Sequence, residues 1–284
     1  MESSTTIHSA AKCSSEAFVS ALNAAYADYF IPLHLTPSSL ESLIRRESID
    51  FQASRVALDG ERIVGMGLLG RRGSRGWIGG VGVIPEYRRR GIARRIMQEL
   101  NAQARKLALD TLQLEVIQQN EAAHNLYLEL GYVTNRELLM LVSQQNGLKT
   151  PPAELAPDVE IRSEAAEVLL GSLNALPGVP RPWQREYSPD HPKNHLQGYA
   201  AYRAGQLCGV CLFSGSGGMN AELADVAADV EAAGLALLAQ MLQAYPTTTF
   251  TCLYVSRDDP MLPALRRAGF EEVISQYEML LSLS

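Results

Sequence analysis

The chain has little cysteine, no long apolar run and no excess of positive charge, and each absence removes a class of protein. Its four cysteines, Cys13, Cys208, Cys211 and Cys252, are too few and too irregularly spaced for a disulfide framework, which fits a reducing compartment. Cys208-Gly209-Val210-Cys211 has the spacing of a redox or zinc pair. A redox pair opens a helix, however, and a zinc site needs two further ligands, whereas Leu207 to Phe213 reads as a strand; buried thiols are the reading that remains. His191 and His195 stand four apart, but Pro192 breaks the helix that would align them and no third ligand is near, so no metal is expected. No stretch approaches the ~18 apolar residues of a membrane span, and Met1 to Ala10 lacks a basic segment followed by an apolar run. The expected location is therefore the cytoplasm, with no membrane partner. A net charge of -6 does not supply the basic face on which nucleic-acid affinity rests, so no nucleic-acid partner is expected either.

What is present suffices for a substantial core, with 46% hydrophobic and 20% charged residues, as in soluble globular proteins. At 284 residues, two cores of ordinary size fit better than one. Ser15 to Phe30 and the segment entered through Thr36-Pro37-Ser38-Ser39 have helical spacing. Ser54 to Leu58 and Ile63 to Leu69 are apolar runs joined at Asp59-Gly60, a pair suited to a tight hairpin, and Trp77 to Ile84 is a third, glycine-rich strand ending at Pro85. Ile92, Ile96, Leu100, Ala104 and Leu107 form one helical stripe, which puts Gly91 at a strand-to-helix junction. Thr111 to Ile117 reads as a strand, Glu121 to Leu130 as a helix ended by Gly131, and Tyr132 to Val142 as a last strand. The predicted order is ααβββαβαβ.

The proline-rich stretch 146–158 reads as a linker between a first domain, 1–145, and a second, 159–284. The second half has a hairpin of Gly198 to Arg203 and Gln206 to Phe213, a helix from Leu235 to Ala244 and a strand from Thr249 to Val255. Asp258 to Phe270 lies over Asn120 to Tyr132 without gaps, both ending in a glycine-aromatic pair, which suggests a weak internal repeat.

Arg88, Arg89, Arg90 and Gly91, followed by Ile92, Ala93 and Arg94, lie between a strand and a helix. Unpaired backbone N–H groups and the positive helix end can hold a phosphate there, and the small Gly91 and Ala93 allow close approach; a solvated basic turn is the alternative. Val81-Gly82-Val83-Ile84-Pro85-Glu86-Tyr87 followed by Arg-x-x-Gly-x-Ala resembles the acetyl-CoA motif of the GNAT superfamily of N-acetyltransferases. Some thirty residues on, Leu114-Glu115-Val116, Asn120-Glu121-Ala122-Ala123, Leu126-Tyr127 and Gly131-Tyr132 resemble that family's second motif.

The resemblance covers residues 15 to 143 and implies a mixed α/β fold with acetyl-CoA as co-substrate. It implies that the backbone of Val81 and Val83 binds the pantetheine arm and an N–H near Val83 stabilises the oxyanion. It further implies that Asn120 hydrogen-bonds the cofactor and that Tyr127 protonates the departing thiolate, core packing being the alternative for this tyrosine. The acceptor would be the amine of a small molecule or peptide. No general base declares itself: Glu115 lies on the strand beside the expected cofactor position, and Tyr26, Tyr29, His34, Glu47 and Asp50 fall in the segment that lines the acceptor pocket in the family.

In the second half Glu231 takes the place of Arg88 and Leu265 that of Tyr127, so this domain resembles a degenerate copy that binds no CoA. It is suited to completing the acceptor pocket, or to serving as a scaffold or homodimer surface, and Pro177 to His195 to covering a pocket or to packing as an inert loop. A non-catalytic acyl-CoA sensor is the alternative to the enzyme, and Asn120 and Tyr127 favour the enzyme.

Overall fold

Asp59 and Gly60 turn the chain back on itself, with Gly60 in the left-handed region at φ 60°, in the computed structural model of the protein, which describes residues 5–31, 33–144, 148–187, 196–214 and 218–283. The elements in chain order are β1 (Thr6–Ser9), α1 (Ser15–Ala25), α2 (Pro37–Arg46), β2 (Arg55–Asp59), β3 (Arg62–Arg72), β4 (Arg75–Val83), α3 (Ile92–Lys106), β5 (Thr111–Ile117), α4 (Glu121–Glu129) and β6 (Val133–Ser143). They continue with α5 (Pro152–Leu155), β7 (Val159–Glu164), α6 (Ala166–Ser172), β8 (Leu196–Arg203), β9 (Gln206–Ser214), β10 (Asn220–Ala228), α7 (Glu231–Ala244), β11 (Thr249–Ser256), α8 (Leu262–Arg267) and β12 (Phe270–Ser282). The fold is mixed α/β, and no helix of the described residues is long and apolar enough to cross a membrane.

Two compact units emerge, Met1–Asn135 with Tyr277–Ser284, and Arg136–Gln276. This division differs from the expected 1–145 and 159–284. The end of β12 belongs to the first unit, where Leu283 N–H donates to Asp110 O at 2.9 Å. The expected linker is also not a free spacer. Its described part carries α5, Leu148 and Leu155 pack on the second unit's core, and Gln243 Nε2 donates to Thr150 O at 2.9 Å; residues 145–147 lie outside the described residues.

In the first unit β1, β2, β3 and β4 are antiparallel neighbours and β5 runs parallel to β4. Glycine lets helices lie close on both faces of this sheet. A Cβ on Gly67 would stand 2.7 Å from Leu100 of α3, and one on Gly82 would stand 3.0 Å from Ala25 of α1. In the second unit β7, β8, β9 and β10 are antiparallel in turn, β11 runs parallel to β10, and β6 lies antiparallel on β11. Leu237, Leu238 and Met241 of α7 pack with Phe213 and Phe250, while Leu169 of α6 packs with Val210, Leu212 and Ala224. Both units thus place a helix between two parallel neighbours, as right-handed crossovers require. The buried Cys208 and Cys211 sit on β9, not at a helix start, and the described cysteines are free thiols. His191 and His195 lie outside the described residues, and among the described residues no group of three or more His, Cys, Asp or Glu side chains gathers as a metal site would.

Candidate active site

Strands β4 and β5 pair only as far as Ile78 and Leu114. Directly beyond, β4 bulges between the residues that pair with Leu69 and Gly67, with Gly80 at φ 126°, and the two strands part. Ile84 N–H donates to Val64 O on β3 at 3.0 Å, so strand alternation turns the N–H and C=O groups of Val83 and Val81 the other way, into the gap beside β5. The carbonyls are accounted for there: Val81 O accepts from the Tyr26 hydroxyl at 3.3 Å and Val83 O from Arg88 Nε at 3.1 Å.

The gap leads to the loop before α3. Arg89 at φ 64° and Gly91 at φ 73° are both left-handed, the alternation that points successive N–H groups into one concavity. The first helical bond into this turn is Arg95 N–H to Gly91 O. Among the described residues none accepts from the N–H of Arg89, Arg90 or Gly91, and Ile92, Ala93 and Arg94 add the free amides of a helix start. A Cβ at Gly91 would meet nothing within 4 Å, so the amide concavity is open. These groups fit a pyrophosphate: several convergent donors, a helix N-terminus and no carboxylate facing them among the described contacts.

The arginine side chains are distributed differently from the backbone. Arg88 is bidentate to Asp28, at 2.6 Å from each oxygen, and also donates to Ala25 O at 3.0 Å. Its hydrogen bond holds the Asp28 carboxyl below the usual range. It thereby ties the chain after α1 to the loop before α3. Arg90 lies over the Tyr87 ring at 4.8 Å and donates to Glu86 O, Arg94 pairs with Glu129 of α4, and Arg95 holds Thr5. Arg89 is the member of the cluster whose guanidinium has no partner among the described residues. Ile92 is buried and contributes its backbone alone.

Tyrosines line the other end of the gap. Asn120 caps α4 by accepting from Ala123 N–H at 3.2 Å. Tyr26 and Tyr29 meet edge to face at 5.0 Å. Tyr127, one turn and a half into α4, is buried against Tyr132 at 6.0 Å, and its hydroxyl has no hydrogen-bond partner among the described residues. Burial, reinforced by neighbouring tyrosines, pushes its phenol well above the usual value. Trp77 Nε1 donates to Glu115 Oε2 at 2.8 Å, and Gln113 Nε2 approaches the other oxygen at 3.4 Å, which fixes a carboxylate on β5 just past the parting of the strands.

The arrangement therefore brings together Val81, Val83, the 88–94 loop, Asn120 and Tyr127 along one gap and its ends, with Tyr26 and Tyr29 beside them. Glu47 is buried with Arg46 and Arg72, and Asp50 pairs with Arg71 and caps Ala53, so both are committed to structure; His34 is exposed. The roles of Tyr26 as a donor to β4 and of Asp28 as the partner of Arg88 had no signal in the sequence, because each depends on a contact more than fifty residues away.

Residues 19–132 match the model of the Acetyltransferase (GNAT) family. This part of the chain is a GNAT acetyltransferase domain. No curated protein matches the chain by sequence. Among solved structures, the tandem GNAT protein from the clavulanic acid biosynthesis pathway superposes with a TM-score of 0.69 at 16% identity, covering 99% of both chains. A GCN5-related N-acetyltransferase from Sphaerobacter thermophilus gives 0.73 at 14% identity, over 98% of this chain and 96% of that one. An acetyltransferase structure from Pyrococcus horikoshii gives 0.65 at 16% identity, over 98% and 89%. At these identities the likeness is one of fold: both units have a GNAT-like architecture, while the family match itself lies in residues 19–132.

Proposed function

We propose that the chain is an acetyl-CoA-dependent N-acetyltransferase whose first unit transfers an acetyl group to the amine of a small molecule or peptide by direct attack on the thioester. The observation that carries this reading is the open row of backbone amides from Arg89 into α3, continuous with the gap at Val81 and Val83. Acetyl-CoA supplies an activated acyl group. The amides of the 89–94 segment hold its phosphates, the backbone of Val81 and Val83 orients the arm, and the Val83 N–H stabilises the negative charge that develops on the carbonyl oxygen. Arg88 acts one step removed, by fixing the chain after α1 through Asp28. Asn120 fixes the start of α4, and Tyr127 gives its proton to the departing sulfur.

An amine of the lysine type is mostly protonated at neutral pH, so a base must take its proton. Glu115, oriented by Trp77 and Gln113, is that base. Glu115→Gln keeps an oxygen to accept from Trp77, so an unchanged melting temperature and a turnover lower by roughly 100-fold are expected; unchanged turnover would remove Glu115 from the chemistry. Because burial keeps Tyr127 protonated above the ordinary phenol range, the pH–rate profile is expected to show no descending limb below about pH 10 from this group. A limb below that pH that disappears in Tyr127→Phe would contradict the assignment.

The nature of the bond formed is tested by isolating the acetylated product and treating it with alkaline hydroxylamine. An amide survives and supports the N-acetyltransferase. A product that is cleaved is an ester or thioester, and the acceptor is then a hydroxyl or thiol.

A further inference from the structure

The second unit repeats the parting of strands. Strands β10 and β11 pair through Glu222 and Thr251 and no further, and β10 bulges between Leu223 and Asp225, as β4 does after Ile78. Asp225 stands three residues beyond the last parallel pair, the place Val81 holds in the first unit. What fills the opening is different. Arg185, 5% exposed, donates to Asp225 Oδ1 at 2.6 Å and stands 3.9 Å from Asp259 Oδ2, beyond the end of β11. Arg181 Nε donates to the other Asp225 oxygen at 2.7 Å. The Tyr187 hydroxyl donates to Ala224 O at 2.9 Å, which satisfies a backbone group on the bulge. Between Arg181 and Tyr187 the chain is anchored by Trp183, fully buried.

The charges balance, two guanidinium groups against two carboxylates. Arg185 Nε is buried and has no partner among the described residues, and the pocket bordered by Arg185, Asp225, Ser256 and Asp259 measures about 20 Å³, room for one water and far too little for a pantetheine arm.

We propose that the acyl-CoA cleft of the second unit is closed from within: the segment from Arg181 to Tyr187 occupies it, and the Arg185–Asp225 pair is the plug that holds β10 and β11 in their parted geometry without a ligand. The plug replaces, with the protein's own groups, the polar contacts an acyl-CoA would make with a parted strand. That the whole chain then takes one acyl-CoA, in the first unit, rests on the function proposed above.

The test uses the full chain. Breaking a buried pair strands the remaining charge, whereas removing both members together restores an apolar interior. Asp225→Leu is therefore expected to lower the melting temperature by roughly 10 °C, and Arg185→Met/Asp225→Leu to recover most of that loss. Losses that simply add in the double variant would overturn the plug, since they would mean that the two side chains act independently. Calorimetric titration with acetyl-CoA supplies the second readout: Gly91→Glu, which removes the first site, is expected to bind none. Two equivalents bound by the wild-type chain, falling to one in that variant, would show an open second cleft and overturn the proposal. A wild-type chain that binds no acetyl-CoA, with the thermal coupling intact, would instead sink the reading of the first unit and leave the closed second cleft standing.

Discussion

Gly91→Glu is expected to weaken acetyl-CoA binding by at least about 100-fold, measured by calorimetric titration, while the fold persists. Two effects act together. The new side chain leaves a backbone at φ 73°, where residues with a Cβ are disfavoured, and it places a carboxylate over amides that otherwise have no protein acceptor. Hydrogen bonds to a charged group are each worth about 1.5–3 kcal/mol, so losing two accounts for a change of that size. A Cβ at Gly91 meets no protein atom within 4 Å, so the substitution starts in open space and leaves the core under α3 in place. Binding as tight as in the wild type would mean that the phosphate loop lies elsewhere.

Tyr127→Phe is expected to lower the rate of acyl transfer by roughly 100-fold or more at saturating substrates and to leave acetyl-CoA affinity nearly unchanged. The hydroxyl makes no hydrogen bond to a described residue, so its removal costs the fold little, and the ring keeps its packing against Tyr132. A loss confined to KM, with turnover intact, would make Tyr127 a packing residue. A loss of thermal stability equal to the loss of activity would point the same way.

Much of the first unit could be read before any coordinates, because its signals are local. Asp59-Gly60 marks its hairpin, the stripe from Ile92 to Ala104 marks α3, and Thr111–Ile117 alternates along its length as a strand with one buried face. Strand β1 escaped because Thr6–Ser9 is short and polar, at the edge of a sheet, where pairing with β2 and not burial holds it. Strand β10 escaped for the opposite reason. From Leu223 to Ala228 it is buried on both faces and rich in alanine, so it has no alternation and its composition favours a helix. The shared use of β12 could not be seen, since nothing in a run of strand residues says which unit its ends will join.

The site divides in the same manner. Backbone features announce themselves through glycine and through motif spacing, which is why the turn at Gly91 and the starts of α3 and α4 were legible. Side-chain partners do not. Arg88 reads as a phosphate ligand in the sequence and in the fold holds Asp28, and nothing in the sequence singles out Arg185, which in the fold is among the most buried charges of the second unit.

The central claim is that the first unit is a catalyst and not a binding module. It is tested most directly by measuring free thiol released from acetyl-CoA by the purified chain against a panel of amines, amino acids, polyamines and short peptides. Release that depends on one class of amine is predicted, and it would name the acceptor as well as the activity. Saturable binding of acetyl-CoA with no release above the uncatalysed rate on any acceptor would contradict the account and make the chain an acyl-CoA sensor.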